Sequence, residues 1–559
     1  MRARWLVAFV SLVAAHAPAA TIRVGDLAGD SGCDFDTIQA AINASTAAFP
    51  DVDTIQIANT GTYANQAITI GGGKSIALVG GIGTCAMGQQ DNLADIAGNG
   101  NVAVFTISPA AGTFAYVTMN GLHIHGGGKL GVPGSYGGGI AAVGQLELTI
   151  ANSNIVSNAA EFGAGIFASS LGSAHPEVTL DAETAVSYNT AAVYGGGIYI
   201  DSGYLYVQSD HVLVEHNVAG GAGGGVANLG AYMEVGNPLN VAARYDARGA
   251  TIAYNTAATV GGGVYLDGAQ GKLYANELAV DHNNAGSAGA GIYAADGAML
   301  TMARDFGAQP ALQCPIQTLC SSLSGNNVNN GVSGTLGGAI ALYSNARASI
   351  AQTFINNNTS ERGSIAYLDT GTNLSLEGVL ATNNQAFEQS NGHGSAAIEA
   401  SYGGTAPTLR IAFTTFYVNY EYTSAFGNAL TQDVLVESGT VLSIYSTAAY
   451  DSPYFAGAYG PYTLDCTIQP YGSGNDPDAT NTRLMRTNSP GFVNASAGDF
   501  RLRSSSALTD YCDTSAYQPV YRDIVLTPRC HDDPNKPNAY GACDVGAYES
   551  DEIFGNGFE

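Results

Sequence analysis

A glycine-led apolar step recurring eight times, an asparagine in register with it, and period-two alternation after the glycines together predict a right-handed parallel β-helix. The steps read YGGGI at 136–140, FGAGI at 162–166, YGGGI at 194–198, AGGGV at 222–226, VGGGV at 260–264, AGAGI at 288–292, LGGAI at 336–340 and RGSI at 362–365. Their closing residues fall 25 to 48 residues apart. That is the spacing of stacked coils whose loops differ in length. Asn189, Asn217, Asn255, Asn283 and Asn356 each stand nine residues before a closing residue, which marks them as a structural ladder. Ile198-Tyr199-Ile200, Val264-Tyr265-Leu266 and Ile292-Tyr293-Ala294 alternate as strands do, and helical spacing is absent.

The physical reason lies in stacking. Each turn of chain lies on the last, so equivalent side chains meet. Glycine permits φ > 0 at corners and close backbone approach; Gly262 is expected to serve in this way. Asparagine tolerates left-handed conformations, and its amide can bond to the amides above and below. Roughly 14 rungs, about 4.8 Å apart, are expected over residues 61–468.

Composition agrees. A chain of 559 residues is too long for one compact core. Only 12% of residues are charged, yet no run of 18 apolar residues follows the N-terminus. Hydrophobic residues make up 46%, which excludes a disordered chain. The net charge of −27 argues against nucleic acid and anionic membranes as partners.

In chain order, residues 1–20 read as a secretory signal peptide. Arg2 and Arg4 precede the apolar run Trp5 to Ala15, and small residues follow at Ala17 to Ala20. Export leads to an oxidising compartment where cysteine pairs persist. The candidates are Cys33, Cys85, Cys314, Cys320, Cys466, Cys512, Cys530 and Cys543. Cys33 is expected to reach Cys85, and Cys314 to close a loop with Cys320. Sequence leaves the other four pairings open. No CxxC or zinc-finger histidine spacing is present. Residues 21–60 form an N-terminal cap and first rung. Ile38, Ala41 and Ile42 share a helical face, with Asp36 as the expected N-cap. A helix there would cover an open rung.

Beyond the coil, residues 469–550 change composition. Gly, Asn, Asp and Pro cluster from Tyr471 to Ala479, as in an irregular cap. Phe500 and Leu502 alternate with Arg501 and Arg503, which predicts a capping strand. Residues 551–559 form a tail in which Phe554 and Phe558 flank Gly555-Asn556-Gly557. It is too short to pack as an element. We read the two phenylalanines as a short sorting motif.

Several stretches resemble known families. Gly337-Gly338-Ala339-Ile340 followed by Phe354-Ile355-Asn356-Asn357 resembles the repeats of polymorphic outer-membrane proteins, which are bacterial surface β-helices implicated in adhesion. Cys33 to Ile42 resembles the opening segment of pectin-lyase-like β-helices. Pro490 to Asn494, Gly498 to Leu502 and Asp544 to Glu549 resemble the C-terminal region of the choice-of-anchor Q proteins. Ile553 to Glu559 resembles the IFxNGFE tail of some bacterial secreted proteins. These resemblances imply a β-helix at a bacterial surface or in the medium.

Phosphate-cradling loops need glycines between a strand and a helix; here strands follow the glycines. Gly73-Lys74-Ser75 resembles the end of a P-loop, but Ile68 stands where the first glycine belongs. Polygalacturonase-like sites show NTD, DD, GHG and RIK motifs. Gly392-His393-Gly394 supplies only the GHG, and Asp532-Asp533 comes too late. Pectate lyase-like sites need Ca²⁺ carboxylates and a basic proton acceptor. Only nine basic residues lie between Gly61 and Cys466. No GxSxG motif occurs. Asp201, Asp267, Asp296 and Asp369 follow strands and read as turn residues, with weak surface calcium as the alternative. His123 and His125 alternate on one side of a strand, but no third metal ligand is evident from spacing.

The expected function is therefore an adhesin-like, secreted or cell-surface interaction protein. It would bind a glycan or protein partner as a monomer, with no cofactor and no membrane span after signal cleavage. A polysaccharide hydrolase or lyase is the second reading. If Ile198, Val264 and Ile292 point inward, Tyr199, Tyr265 and Tyr293 point outward, with Phe167 at the same position. That makes a candidate ligand-binding stripe.

Overall fold

The computed structural model describes residues 19–549, apart from 31, 60, 87–91, 209–210, 237–249, 304–320, 329–333, 389–395, 424–428, 431, 438, 451–453, 459–461, 471–478, 504, 514–521, 526 and 534–535. Residues 1–18 of the stretch read as a signal peptide, Cys314, Cys320, Gly392 to Gly394 and the tail with Phe554 and Phe558 lie outside the described residues.

The chain is an all-β parallel β-helix. One coil shows the plan. Ile140–Val143 starts it, Leu146–Ala151 forms the longest strand, Asn154–Val156 follows a tight turn, and Ala159–Phe162 closes the coil. Gly163 to Gly165 then lead into Ile166–Ser169, which pairs in register with Ile140–Val143. Repetition gives four faces: a glycine face, a long face, a third face and a short face. Among the described residues they hold 13, 16, 15 and 10 strands, against roughly 14 rungs expected.

Alternation decides what is buried. On the glycine face Ile140, Ile166, Ile198, Val226, Val264, Ile292 and Ile340 form one fully buried column. Leu148, Val178, Leu205 and Met233 do the same on the long face, and Ile124, Ile155, Val186 and Val214 on the third. Burying each such side chain stabilises by about 1.5–3 kcal/mol.

Two corners carry the polar logic. At the first, Asn158, Asn189, Asn217, Asn255, Asn283, Asn326, Asn358, Asn384 and Asn419 form a buried ladder. The Asn189 amide donates to Asn217 Oδ1 at 3.1 Å and to the Ile155 carbonyl at 2.9 Å, and its backbone N–H donates to the same Oδ1. Each interior amide is thus satisfied without water, and aligned bonds polarise one another. Asn356 is not a rung. It lies on the strand Phe354–Asn356, where it accepts from Thr382, and Asn358 takes the ladder position. The reason is register: Ile340 pairs with Ala366, not Ile365. The residue before each ladder asparagine is left-handed, with φ of 52–56° at Ser157, Tyr188, His216, Tyr254, His282, Asn357, Asn383 and Val418. That geometry is strained for non-glycine residues, and the asparagine bonds hold it.

At the second corner the first glycine of each step is left-handed, from Gly137 at φ 59° to Gly363 at φ 66°. Gly262 differs from expectation. The positive φ belongs to Gly261, whereas Gly262 is confined because a Cβ there would lie 2.3 Å from the Asn284 carbonyl oxygen.

At the N-terminus, Thr21–Val24 pairs in parallel with Asp53–Ala58. The helix Ile38–Ala44 buries Ile38, Ala41 and Ile42 against the first strands. Thr37, not Asp36, is its N-cap, accepting from the Ala40 N–H. Asp36 instead accepts from the Leu27 N–H. Cys33 is bonded to Cys85.

The C-terminal region lies on the flank of the coil. Phe492, Phe500, Leu502, Leu508, Tyr511, Ile524, Val545 and Tyr548 form a second core with Leu380, Ala448 and Ile468. The Gly546 N–H donates to the Ser446 carbonyl, and Gln352 reaches the Arg522 carbonyl. Asp499–Leu502 pairs antiparallel with Phe492–Asn494 instead of adding a capping strand to the coil. Disulfides Cys466–Cys512 and Cys530–Cys543 fasten this region.

Candidate functional site

The outward positions of the glycine face carry the most distinctive surface among the described residues. Phe167, Tyr199, Ala227, Tyr265, Tyr293, Ala341 and Tyr367 occupy one outward column in consecutive register. A second row, at the end of the short face, adds Tyr136, Phe162 and Tyr194 immediately before the left-handed glycines. Tyr343 follows the strand Ile340–Leu342 and joins the stripe.

The rings interlock along the coil axis. Phe167 and Tyr199 stack at 5.3 Å with planes 5° apart, and Tyr194 reaches over Ala227 to Tyr265 at 6.0 Å. Tyr265–Tyr293, Tyr293–Tyr343 and Tyr343–Tyr367 follow at 5.7, 5.2 and 5.8 Å. Arg362 closes the row 5.3 Å above the Tyr367 ring. Such offset stacks are favourable beyond the area they bury.

This geometry decides what the stripe can offer. Ring faces are occupied by neighbouring rings, so the half-buried tyrosines present edges and hydroxyls. Phe167, only 7% exposed and covered by Tyr136 at 4.6 Å, presents no free face. It belongs to the stack and is set aside as a ligand-binding residue. Tyr136, Phe162, Tyr194, Tyr343 and Tyr367 join the stripe beyond the residues expected from alternation. The first three were legible as the aromatic that precedes a glycine step.

A row of carboxylates flanks the hydroxyls. Asp201 and Asp267 end the strands Ile198–Asp201 and Val264–Asp267. Asp296 follows the next strand with φ 53°. Burial and the Asp201 charge push the Tyr199 hydroxyl up to about 12; burial with Asp267, Asp296 and Asp369 does the same for Tyr293. Tyr265 and Tyr343 are raised by burial and by neighbouring Asp267 and Tyr367 respectively. Burial also raises the Asp267 carboxyl, opposed by the Tyr265 hydroxyl and reinforced by the Asp296 charge.

The hydroxyl shifts have a signed consequence. A hydroxyl raised from 10.0 to about 12 holds its proton longer in the folded state. Its stabilising contribution is complete below pH 10 and is lost as pH rises toward 12. Thermal unfolding should therefore show a falling midpoint across that window. A Tyr199→Phe/Tyr293→Phe variant should show a shallower fall, with an unchanged midpoint at pH 7. An equal fall in both proteins would contradict the burial of these hydroxyls.

A second, shorter stack runs along the asparagine corner. Tyr188, His216, Tyr254 and His282 pile at 4.8, 5.1 and 5.0 Å. His123 and His125 lie on the outer side of the third face, with Ile124 inward.

No protein-family model matches the sequence, and no curated protein matches it. Among solved structures the chain is similar to the pectate lyase Pel9A, at 12% identity and a TM-score of 0.24, over 95% of this chain and 98% of that one. The assignment to the parallel β-helix class rests on the strand register described above.

Proposed function

We propose that this is a secreted or surface-held interaction protein that binds a neutral glycan along the tyrosine–aspartate stripe. The observation that carries the reading is the unbroken row of tyrosine edges beside Asp201, Asp267, Asp296 and Asp369. Carboxylates and phenolic hydroxyls are the groups that hydrogen-bond a polyhydroxyl chain. Rungs about 4.8 Å apart set these groups one or two coils from one another, Tyr265 and Tyr293 on adjacent coils and Tyr199 two coils before Tyr265. Acidic polymers are disfavoured by the same carboxylates and by the net charge of −27. The three disulfides among the described residues fit an exported chain. Among the described residues no helix is long and apolar enough to cross a membrane. The resemblance to adhesive bacterial surface β-helices points the same way.

The hydrolase reading stands second. Glycosidases place two carboxyls at least about 5 Å apart to flank the bond. Asp267 and Asp296 are the carboxyls of the stripe that act on one another, Asp296 helping to raise the Asp267 carboxyl.

One experiment tests both readings. The mature chain would be run in affinity gels containing neutral or acidic polysaccharides, and the same mixtures assayed for released reducing ends and unsaturated products. We expect retardation by a neutral polymer without product release. Replacing Tyr199, Tyr265 and Tyr293 together by Phe keeps the stack but removes three hydroxyls. At about 0.5–1.5 kcal/mol each, affinity should fall tenfold or more. Absence of retardation by every polymer, or equal retardation of the variant, would sink the glycan reading; product release would favour the enzyme.

A further inference from the structure

We propose that Asp95, His123 and His125 form a binding site for a zinc-class divalent ion on the outer side of the third face. The three residues come from two adjacent coils. Ala94–Gly98 and Leu122–His125 pair in parallel, with Asp95 opposite His123 and Ala97 opposite His125. Alternation then does the rest. Ala94, Ile96, Leu122 and Ile124 point inward and are fully buried, so Asp95, His123 and His125 all point outward.

The donor atoms already converge. One carboxylate oxygen and one ring nitrogen from each histidine lie within 4.8 Å of one another. His125 Nε2 sits 2.9 Å from Asp95 Oδ1, and the histidine rings lie 5.0 Å apart. A tetrahedral ion with bonds of about 2.0–2.1 Å needs donors roughly 3.3 Å apart. Closing the remaining distance takes small side-chain rotations, and no backbone shift. The Thr62 hydroxyl donates to the other carboxylate oxygen, Oδ2, which fixes the orientation of Asp95. That is the supporting role second ligand shells play. Asp95 and His125 side chains are about one-third exposed, 34% and 32%, so an ion can reach them.

Donor chemistry selects the ion. Two imidazoles and one carboxylate suit zinc, nickel, copper or iron; calcium and magnesium require all-oxygen shells. Three protein ligands also leave a coordination position open to water or an incoming group. Among the described residues the other grouping of this kind, Asp30 with Cys33 and Cys85, offers no thiolate because its cysteines are joined in a disulfide.

The test uses the folded mature chain, stripped of metal with a chelator. Calorimetric titration with ZnCl₂ should give one equivalent of tight binding that excess CaCl₂ does not displace. Cobalt(II) should give the intense visible absorption of a four-coordinate site. His123→Ala, His125→Ala and Asp95→Asn should each weaken zinc binding by more than about 100-fold, and Thr62→Ala by about 10- to 100-fold. Circular dichroism of the metal-free variants would establish that they fold. Absence of stoichiometric zinc binding overturns the proposal. So does binding that survives all three ligand substitutions, which would place the ion on other histidines. The cobalt spectrum of the unaltered chain keeps the question decidable if a variant fails to fold.

Discussion

Asn255→Leu is expected to destabilise the coil by on the order of 3–9 kcal/mol. The arithmetic follows from four buried hydrogen bonds. Asn255 Oδ1 accepts from the Asn217 backbone N–H and from Asn217 Nδ2, both at 3.0 Å. Its own Nδ2 donates to Asn283 Oδ1 at 3.0 Å and to the Val214 carbonyl at 2.8 Å. Leucine makes none of these. Each lost bond costs about 0.5–1.5 kcal/mol, and the Asn217 N–H, buried without an acceptor, costs about 1–3 kcal/mol more. There is no compensating gain, because the pocket is shaped for an amide: a Cβ on Gly225 would lie 2.9 Å from Asn255 Nδ2. Asn255→Asp makes the complementary case. Its carboxylate could still accept from Asn217 but would face the Asn283 and Val214 oxygens, so it should also destabilise. Chemical denaturation and limited proteolysis measure both. A leucine variant as stable as the parent would refute the ladder as a source of stability.

The same ladder shows how far the sequence could be read. Its members at 189, 217, 255 and 283 stand nine residues before a closing Ile or Val, and a fixed offset finds them. Asn158 stands eight residues before Ile166, and Asn326 fourteen before Ile340, so the same offset misses both. At RGSI it selects Asn356 because Ile365 imitates a closing residue, whereas the pairing position is Ala366. Turn length between ladder and strand varies with a bulge, as between Ala160 and Phe162, and nothing local in the sequence announces it. The core was legible because alternation is demanded on every face. The aromatic stripe was half legible: its outward column followed from alternation, but its second row depends on which short-face residues lie over which strands. The Asp95 partner of His123 and His125 was not legible. It lies 28 residues upstream of His123, and only the register between coils brings it alongside. The flank position of the C-terminal region was equally hidden, since Phe500 and Leu502 alternate in the same way whether they cap a coil or cover its side.

Gly262→Val is expected to have the other large effect, and for a reason that differs from the left-handed corner beside it. Gly261, at φ 65°, needs glycine for its backbone angle. Gly262 needs it for space. A Cβ there would sit 2.3 Å from the Asn284 carbonyl oxygen and 2.6 Å from that of Ala290, both backbone atoms of the next coil. Neither can swing aside as a side chain would. The two coils are held about 4.8 Å apart by pairing on every face, so relief at this corner must break bonds elsewhere. Overpacking in an adaptable core costs about 1–3 kcal/mol; here the obstacle is backbone, and valine adds two further methyl groups. Alanine occupies the equivalent position at Ala164 and Ala290, so the column admits a methyl where the local backbone has adjusted. Gly262→Ala should therefore destabilise as well, since its Cβ meets the same carbonyl oxygens, but less than Gly262→Val, which should lose most of its secreted yield and leave a protease-sensitive coil in what remains. Secretion yield and thermal midpoints of the two variants, compared side by side, test this order. A valine variant that is exported and melts with the parent would show that the coils can separate at this corner.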